Sequence, residues 1–182
     1  MKSALRLAAF AALYSCLALA ASATSNRKTS GNADWINPYS QQPAHLTFNA
    51  IATSGIGPAG KGTAVYTDPN LTYTMDVQFV KVSGNTAWFA GRVTSVTPAD
   101  GFLACCKVGD WLFYKVRDIG EPGVNADLIW SEDLTQARQL EMFPAPSKDS
   151  VRDLVRSGVA TPDIGQYTQT GIPITRGNIQ VD

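Results

Sequence analysis

Leu71-Thr-Tyr-Thr-Met-Asp-Val-Gln-Phe-Val-Lys-Val82 is the stretch that decides the fold. Leu71, Tyr73, Met75, Val77 and Phe79 fall on one parity, and Thr72, Thr74, Asp76 and Gln78 on the other. A period of two puts alternate side chains on opposite faces of a strand, whereas a helix would scatter these apolar residues around its surface. Ser83-Gly84-Asn85 then turns the chain, and Thr86 to Thr97 alternates again, so the pair reads as a hairpin.

The same pattern extends outward. His45 to Ala52 alternates Leu46, Phe48 and Ala50 with His45, Thr47 and Asn49. Ser54 to Gly62, with four glycines and Pro58, reads as a loop, and Thr63 to Thr67 as a short strand closed by Asp68-Pro69-Asn70. Asp110 to Arg117 and Asp127 to Trp130 are further strands, separated by the turn-rich Asp118-Ile-Gly-Glu-Pro-Gly123. Short strands at this spacing predict an all-β, mainly antiparallel domain, a sandwich or a small barrel. At Ser131 the pattern changes. Ser131-Glu-Asp resembles a helix N-cap, and Ser147 to Ser157 carries a Val151, Leu154, Val155 stripe before Gly158. Residues 132–162 therefore read as a late excursion with one or two short helices. Ile172 to Val181 returns to strand composition, with Gly177 at a bulge or turn, and is expected to close the sheet near its first strand.

Upstream, Lys2 and Arg6 precede the apolar run Leu7 to Ala20, and Ala21-Ser22-Ala23 is a small-x-small cleavage pattern, so residues 1–23 read as a secretory signal. The run is short for a membrane span, and no second one follows. The expected product is secreted or periplasmic; the alternative is a lipid anchor on Cys16. Residues 24–43, rich in Ser, Asn and Pro, read as a flexible polar lead-in, and 44–182 as the single β-domain.

Lys+Arg and Asp+Glu both number 15 in 182 residues. This balance argues against a nucleic-acid partner, which calls for a basic excess. The single histidine, His45, excludes a multi-histidine metal site. It sits on the polar face of its strand, where it reads as a lone exposed histidine rather than a general base. No Gly-x-Ser-x-Gly elbow is present, and a pairing of His45 with Cys105 or Cys106 has no support in the sequence. Gly55 to Gly62 lacks the spacing of a phosphate loop. Asn70-Leu71-Thr72 is a glycosylation sequon that matters only in a eukaryotic secretory pathway.

Asp118, Glu121 and Asp127 are candidate calcium ligands, because hard oxygens clustered near glycines suit weak extracellular sites. The EF-hand spacing is absent, so a solvated turn is the favoured reading and no cofactor is required. Asp118 with Glu121, or Glu132 with Asp133, could supply paired carboxylates to a hydrolase. Cys105 and Cys106 are adjacent and read first as one buried and one partly exposed thiol; a vicinal disulfide needs a strained turn but gains support from the oxidising conditions of export, and two cysteines of different chains could also pair. Trp88 and Trp111 lie opposite the core stripes. Exposed, they would stack on a sugar or hold an apolar ligand; covered, they are packing residues like Trp35 and Trp130.

Three turn signatures carry a resemblance: Val82-Ser-Gly-Asn-Thr-Ala87, Val116-Arg-Asp-Ile-Gly-Glu-Pro-Gly123 and the terminal Arg176-Gly-Asn-Ile-Gln-Val181. They resemble the β-rich domain labelled post-COAP, seen on exported bacterial proteins. The resemblance covers roughly residues 45–130 and 174–181. It implies a β-fold and export but no activity, and the cysteine pair and the 132–170 excursion depart from it. The expectation is an exported, non-enzymatic β-domain that binds a protein, glycan or small-molecule partner. A small-molecule-binding barrel and a carboxylate-dependent hydrolase are the alternatives.

Overall fold

The computed structural model describes residues 27–38, 40–53, 57–98, 106–120, 127–133, 146–158 and 171–182. Among them, nine strands form one antiparallel sheet: β1 (Lys28–Ile36), β2 (Pro43–Ala52), β3 (Ala59–Thr67), β4 (Thr72–Ser83), β5 (Thr86–Thr97), β6 (Trp111–Arg117), β7 (Leu128–Asp133), β8 (Ile172–Pro173) and β9 (Arg176–Val181). Among the described residues one helix, α1 (Lys148–Ser157), lies between β7 and β8 in the chain. The strand order is β8-β7-β6-β5-β4-β3-β2-β1-β9, so the chain meanders from β1 to β8 and then sets β9 against β1. The sheet curls into a half-barrel, in keeping with the expected all-β, mainly antiparallel class.

The last segment touches both edges of the sheet. Pro173 and Ile172 pair with Leu128 and Ile129 of β7, and after Ile174 and Thr175 the chain pairs with β1 from Arg176↔Asp34 to Val181↔Thr29. This is the expected closing strand. Where β7 and β9 are not paired, Asp127 spans the gap. It is 3% exposed. One carboxylate oxygen accepts the Ile119 N–H at 3.0 Å and the other the Ile179 N–H at 2.8 Å, while its carbonyl accepts the Ile174 N–H at 3.0 Å. Asp127→Ala leaves two amides without acceptors, each costing on the order of 1–3 kcal/mol when buried. We expect a loss of about 3 kcal/mol in urea denaturation, with amide exchange accelerated first at Ile179.

Two clusters pack on opposite faces. The concave face holds Leu46, Phe48, Met75, Phe89, Leu112, Tyr114 and Ile129. Its rings form a continuous series. Trp35 meets Tyr66 at 5.9 Å between centroids, Tyr66 stacks on Tyr73 at 4.9 Å, and Phe48 on Phe89 at 5.0 Å. Phe89 stacks on Tyr114 at 5.2 Å, and the Tyr73 and Tyr114 hydroxyls hydrogen-bond to one another. The convex face is covered over β4 to β6 by α1, whose Val151 and Val155 pack on Phe79, Trp88, Trp111 and Phe113. A capping box starts this helix: the Ser147 hydroxyl accepts the Ser150 N–H at 3.1 Å, and the Ser150 hydroxyl accepts the Ser147 N–H at 2.9 Å. Gly158, in the left-handed region at φ 63°, ends it.

Several expectations are corrected. Residues 24–43 are not simply a lead-in, because Lys28–Ile36 is a strand paired on both sides. Its inward positions Thr29, Ala33 and Trp35 are buried, and the Thr29 hydroxyl donates to the Gln180 carbonyl at 2.9 Å. Polar outward residues hid this alternation. Phe79 does not share a face with Tyr73, Met75 and Val77: it belongs to the convex cluster, and Val80 and Val82 take the inward positions after it. The β4–β5 register shifts between Val77 and Phe79, and the β3–β4 register between Ala59 and Gly62, so a bulge at Gln78 reverses the parity. Ser131-Glu-Asp continues β7 opposite Leu112 to Tyr114 instead of capping a helix. β3 begins at Ala59, so Gly60 and Gly62 are strand residues rather than loop.

Candidate binding groove

Cross-strand register builds a polar row on the convex face near one end of the sheet. Arg176 of β9 stands opposite Asp34 of β1, Asp34 opposite His45 of β2, and His45 opposite Thr67 of β3. Their chain neighbours Ala33, Trp35, Ala44, Leu46 and Tyr66 are buried in the concave core, which fixes this row outward. His45 Nδ1 lies 2.5 Å from Asp34 Oδ1, and Nε2 lies 3.0 Å from the Thr47 hydroxyl. A neutral imidazole that donates from Nδ1 to a carboxylate carries its lone pair on Nε2, where it accepts from a hydroxyl. His45 is thus a linked histidine, not the lone one read from the sequence. Arg176 is exposed and forms no ion pair among the described residues.

Beside this row lies a groove of about 570 Å³, walled by Trp35, Ile36, Pro43 and Pro69 with Asp34, His45 and Arg176 at its rim. Ile36 is 46% exposed. The far wall is held by Asp68. One of its oxygens accepts the Asn70 and Leu71 N–H groups, each at 2.8 Å, and the other accepts the Tyr66 hydroxyl at 2.8 Å. Burial raises the Tyr66 phenol above its ordinary range; the Asn37 amide opposes this, and the Asp68 carboxylate reinforces it. Tyr66 therefore stays a donor and pins the β3–β4 turn in place.

The residues singled out from sequence fall elsewhere. Trp88 and Trp111 do face away from the concave core, but they are 8% and 2% exposed beneath α1. Lys81 lies 5.4 Å from the Trp88 ring, and Arg92 lies 4.8 Å from that of Trp111. These rings anchor the helix and present no open stacking face. Lys115, over Trp130 at 4.2 Å, has its ammonium pushed below the ordinary range by burial and then by Arg117.

Asp127 is the seam carboxylate already described. Asp118 is tied to Asn85 through its backbone, its N–H donating to the Asn85 carbonyl at 2.9 Å and its carbonyl accepting from the Asn85 side-chain amide Nδ2 at 2.7 Å. Glu121 lies outside the described residues, as do Cys16, Cys105, the 1–23 leader and the side chains of Glu132 and Asp133. Among the described residues no group of three His, Cys, Asp or Glu side chains is placed to hold a metal ion. Cys106 is buried and disulfide-bonded, with φ at 64°. Asp34, Thr47 and Arg176 were not singled out from the sequence, since Asp34 acquires meaning only once β1 is seen to be a strand. Compared with known proteins, the chain matches no family model, no curated protein and no solved structure.

Proposed function

We propose that this chain is exported behind its 1–23 leader and acts as a binding module. Its groove beside Asp34, His45 and Arg176 takes a small ligand with an apolar body and a polar end. The observation that carries this reading is the groove itself: apolar walls with a few fixed polar groups at the rim are the usual make-up of a small-molecule site. Its volume falls in the range of about 300–1,000 Å³ common to such sites. The aromatic series across the concave face favours this outer groove over a ligand held inside the barrel, since those rings occupy the interior side of β1 to β6. The post-COAP-like turns support export and leave the ligand open, and the balanced charge disfavours nucleic acid as the partner.

A fragment library screened by amide chemical shifts tests the reading. Hits are expected to move Asp34 to Ile36, Ala44, His45, Thr67 and Asp68, and Ile36→Asp, an exposed substitution, is expected to abolish them. Hits that gather on α1, or none at all, would overturn it.

A further inference from the structure

We infer that Thr47 is a nucleophile served by His45, so that this face of the sheet takes an acyl group from small esters of apolar carboxylic acids. Three side chains line up as carboxylate, imidazole and hydroxyl: Asp34 Oδ1 to Nδ1 at 2.5 Å, and Nε2 to Thr47 Oγ1 at 3.0 Å. This is the order in which a base activates a hydroxyl while a third group orients the base. His45 and Thr47 are two residues apart on one strand and so share a face. Asn32 stands directly opposite Thr47, and Asn178 directly opposite Asn32. Residues so opposed have Cβ atoms about 5 Å apart. Side-chain amides within reach of a nucleophile are suited to stabilise the oxyanion of acyl transfer. Thr47 and Asn32 are exposed, so a substrate carbonyl can approach.

The step balances without metal or oxidant. The Thr47 hydroxyl proton passes to His45 Nε2 as Oγ1 bonds to the carbonyl carbon. The bond from that carbon to the alcohol oxygen breaks, and the departing oxygen takes the proton from Nε2. Water then gives a proton to Nε2 as its oxygen adds to the acyl carbon, and Thr47 Oγ1 leaves with that proton. Ester and water become acid and alcohol. Thr47 and His45 are the catalytic residues, and Asp34 is a positioning residue. The inference rests on the groove reading only for where the apolar part of the ester lies.

The test uses the full exported chain with 4-nitrophenyl butyrate as the probe. Denatured mass after a short incubation is expected to show one butyryl group, mapped to the peptide holding Thr47. Thr47→Val is expected to remove that adduct and lower nitrophenol release about 100-fold, within the usual worth of acid–base catalysis. Thr47→Ser should retain both. Asp34→Asn should lower kcat about tenfold with KM unchanged, which mere fastening of β1 to β2 would not produce. Ile36→Asp should raise KM yet leave the adduct on Thr47, which separates failure of the groove reading from failure of this one. Unchanged release in Thr47→Val, or butyryl groups spread over lysines in every variant, would overturn the proposal.

Discussion

Phe79→Asp is expected to lower stability by at least about 4 kcal/mol and to release α1 from the sheet. The ring is 5% exposed, stacks on Trp111 at 5.9 Å between centroids, and lies in the cluster that receives Val151 and Val155. Truncating a buried Phe costs roughly 3–5 kcal/mol, and a carboxylate in an apolar cluster adds desolvation that no partner offsets. The nearby cations are already engaged: Lys81 donates to the Arg156 carbonyl at 2.8 Å, and Arg92 donates to the Gly109 carbonyl at 3.0 Å. Urea denaturation measures the loss, and amide exchange in α1 should rise before that in β2. Gln78→Asp, at the half-buried bulge next door, should change stability by no more than about 0.5 kcal/mol. Equal tolerance of both substitutions would show that the helix does not cover this face.

Gly177→Ala is the second large effect, at about 4 kcal/mol. Gly177 has φ 106°, and a Cβ built there would lie 1.8 Å from the Asn32 carbonyl oxygen and 2.8 Å from its carbon. Neither obstacle is the end of a flexible side chain, so β9 must move away from β1. Backbone strain at positive φ costs roughly 1–3 kcal/mol, and overpacking roughly as much again. The signature is loss of exchange protection along β1 and β9 while β4 to β6 remain protected. A loss below about 1 kcal/mol would mean that β9 does not lie close against β1.

Much of the sheet was legible because a half-buried strand writes its faces into alternate residues. β5 runs over Thr86–Thr97 as read, and α1 differs from the reading only at its cap. What escaped has physical causes. β1 buries Thr29, Ala33 and Trp35 among polar neighbours, so composition pointed to a linker where register makes a strand. Phe79 lies one residue beyond a bulge, and a bulge is a pairing event between strands that no single strand's pattern records. Asp127 looked like a loop acid beside Asp118 because only one of its side-chain partners, Ile119, is close in the chain, while the other, Ile179, comes from the far terminal strand. The groove depends on the same long-range register: Arg176, Asp34 and His45 meet only because β9 and β2 flank β1.

We propose above all that the groove beside Asp34, His45 and Arg176 holds a small ligand. The most direct measurement is the mass of the chain as its own host produces it, taken native and then denatured. The account predicts a denatured mass for residues 24–182. It also predicts a native mass larger by a small molecule that leaves on denaturation and is missing from Ile36→Asp. Native and denatured masses that are equal, both those of the bare chain, would contradict it.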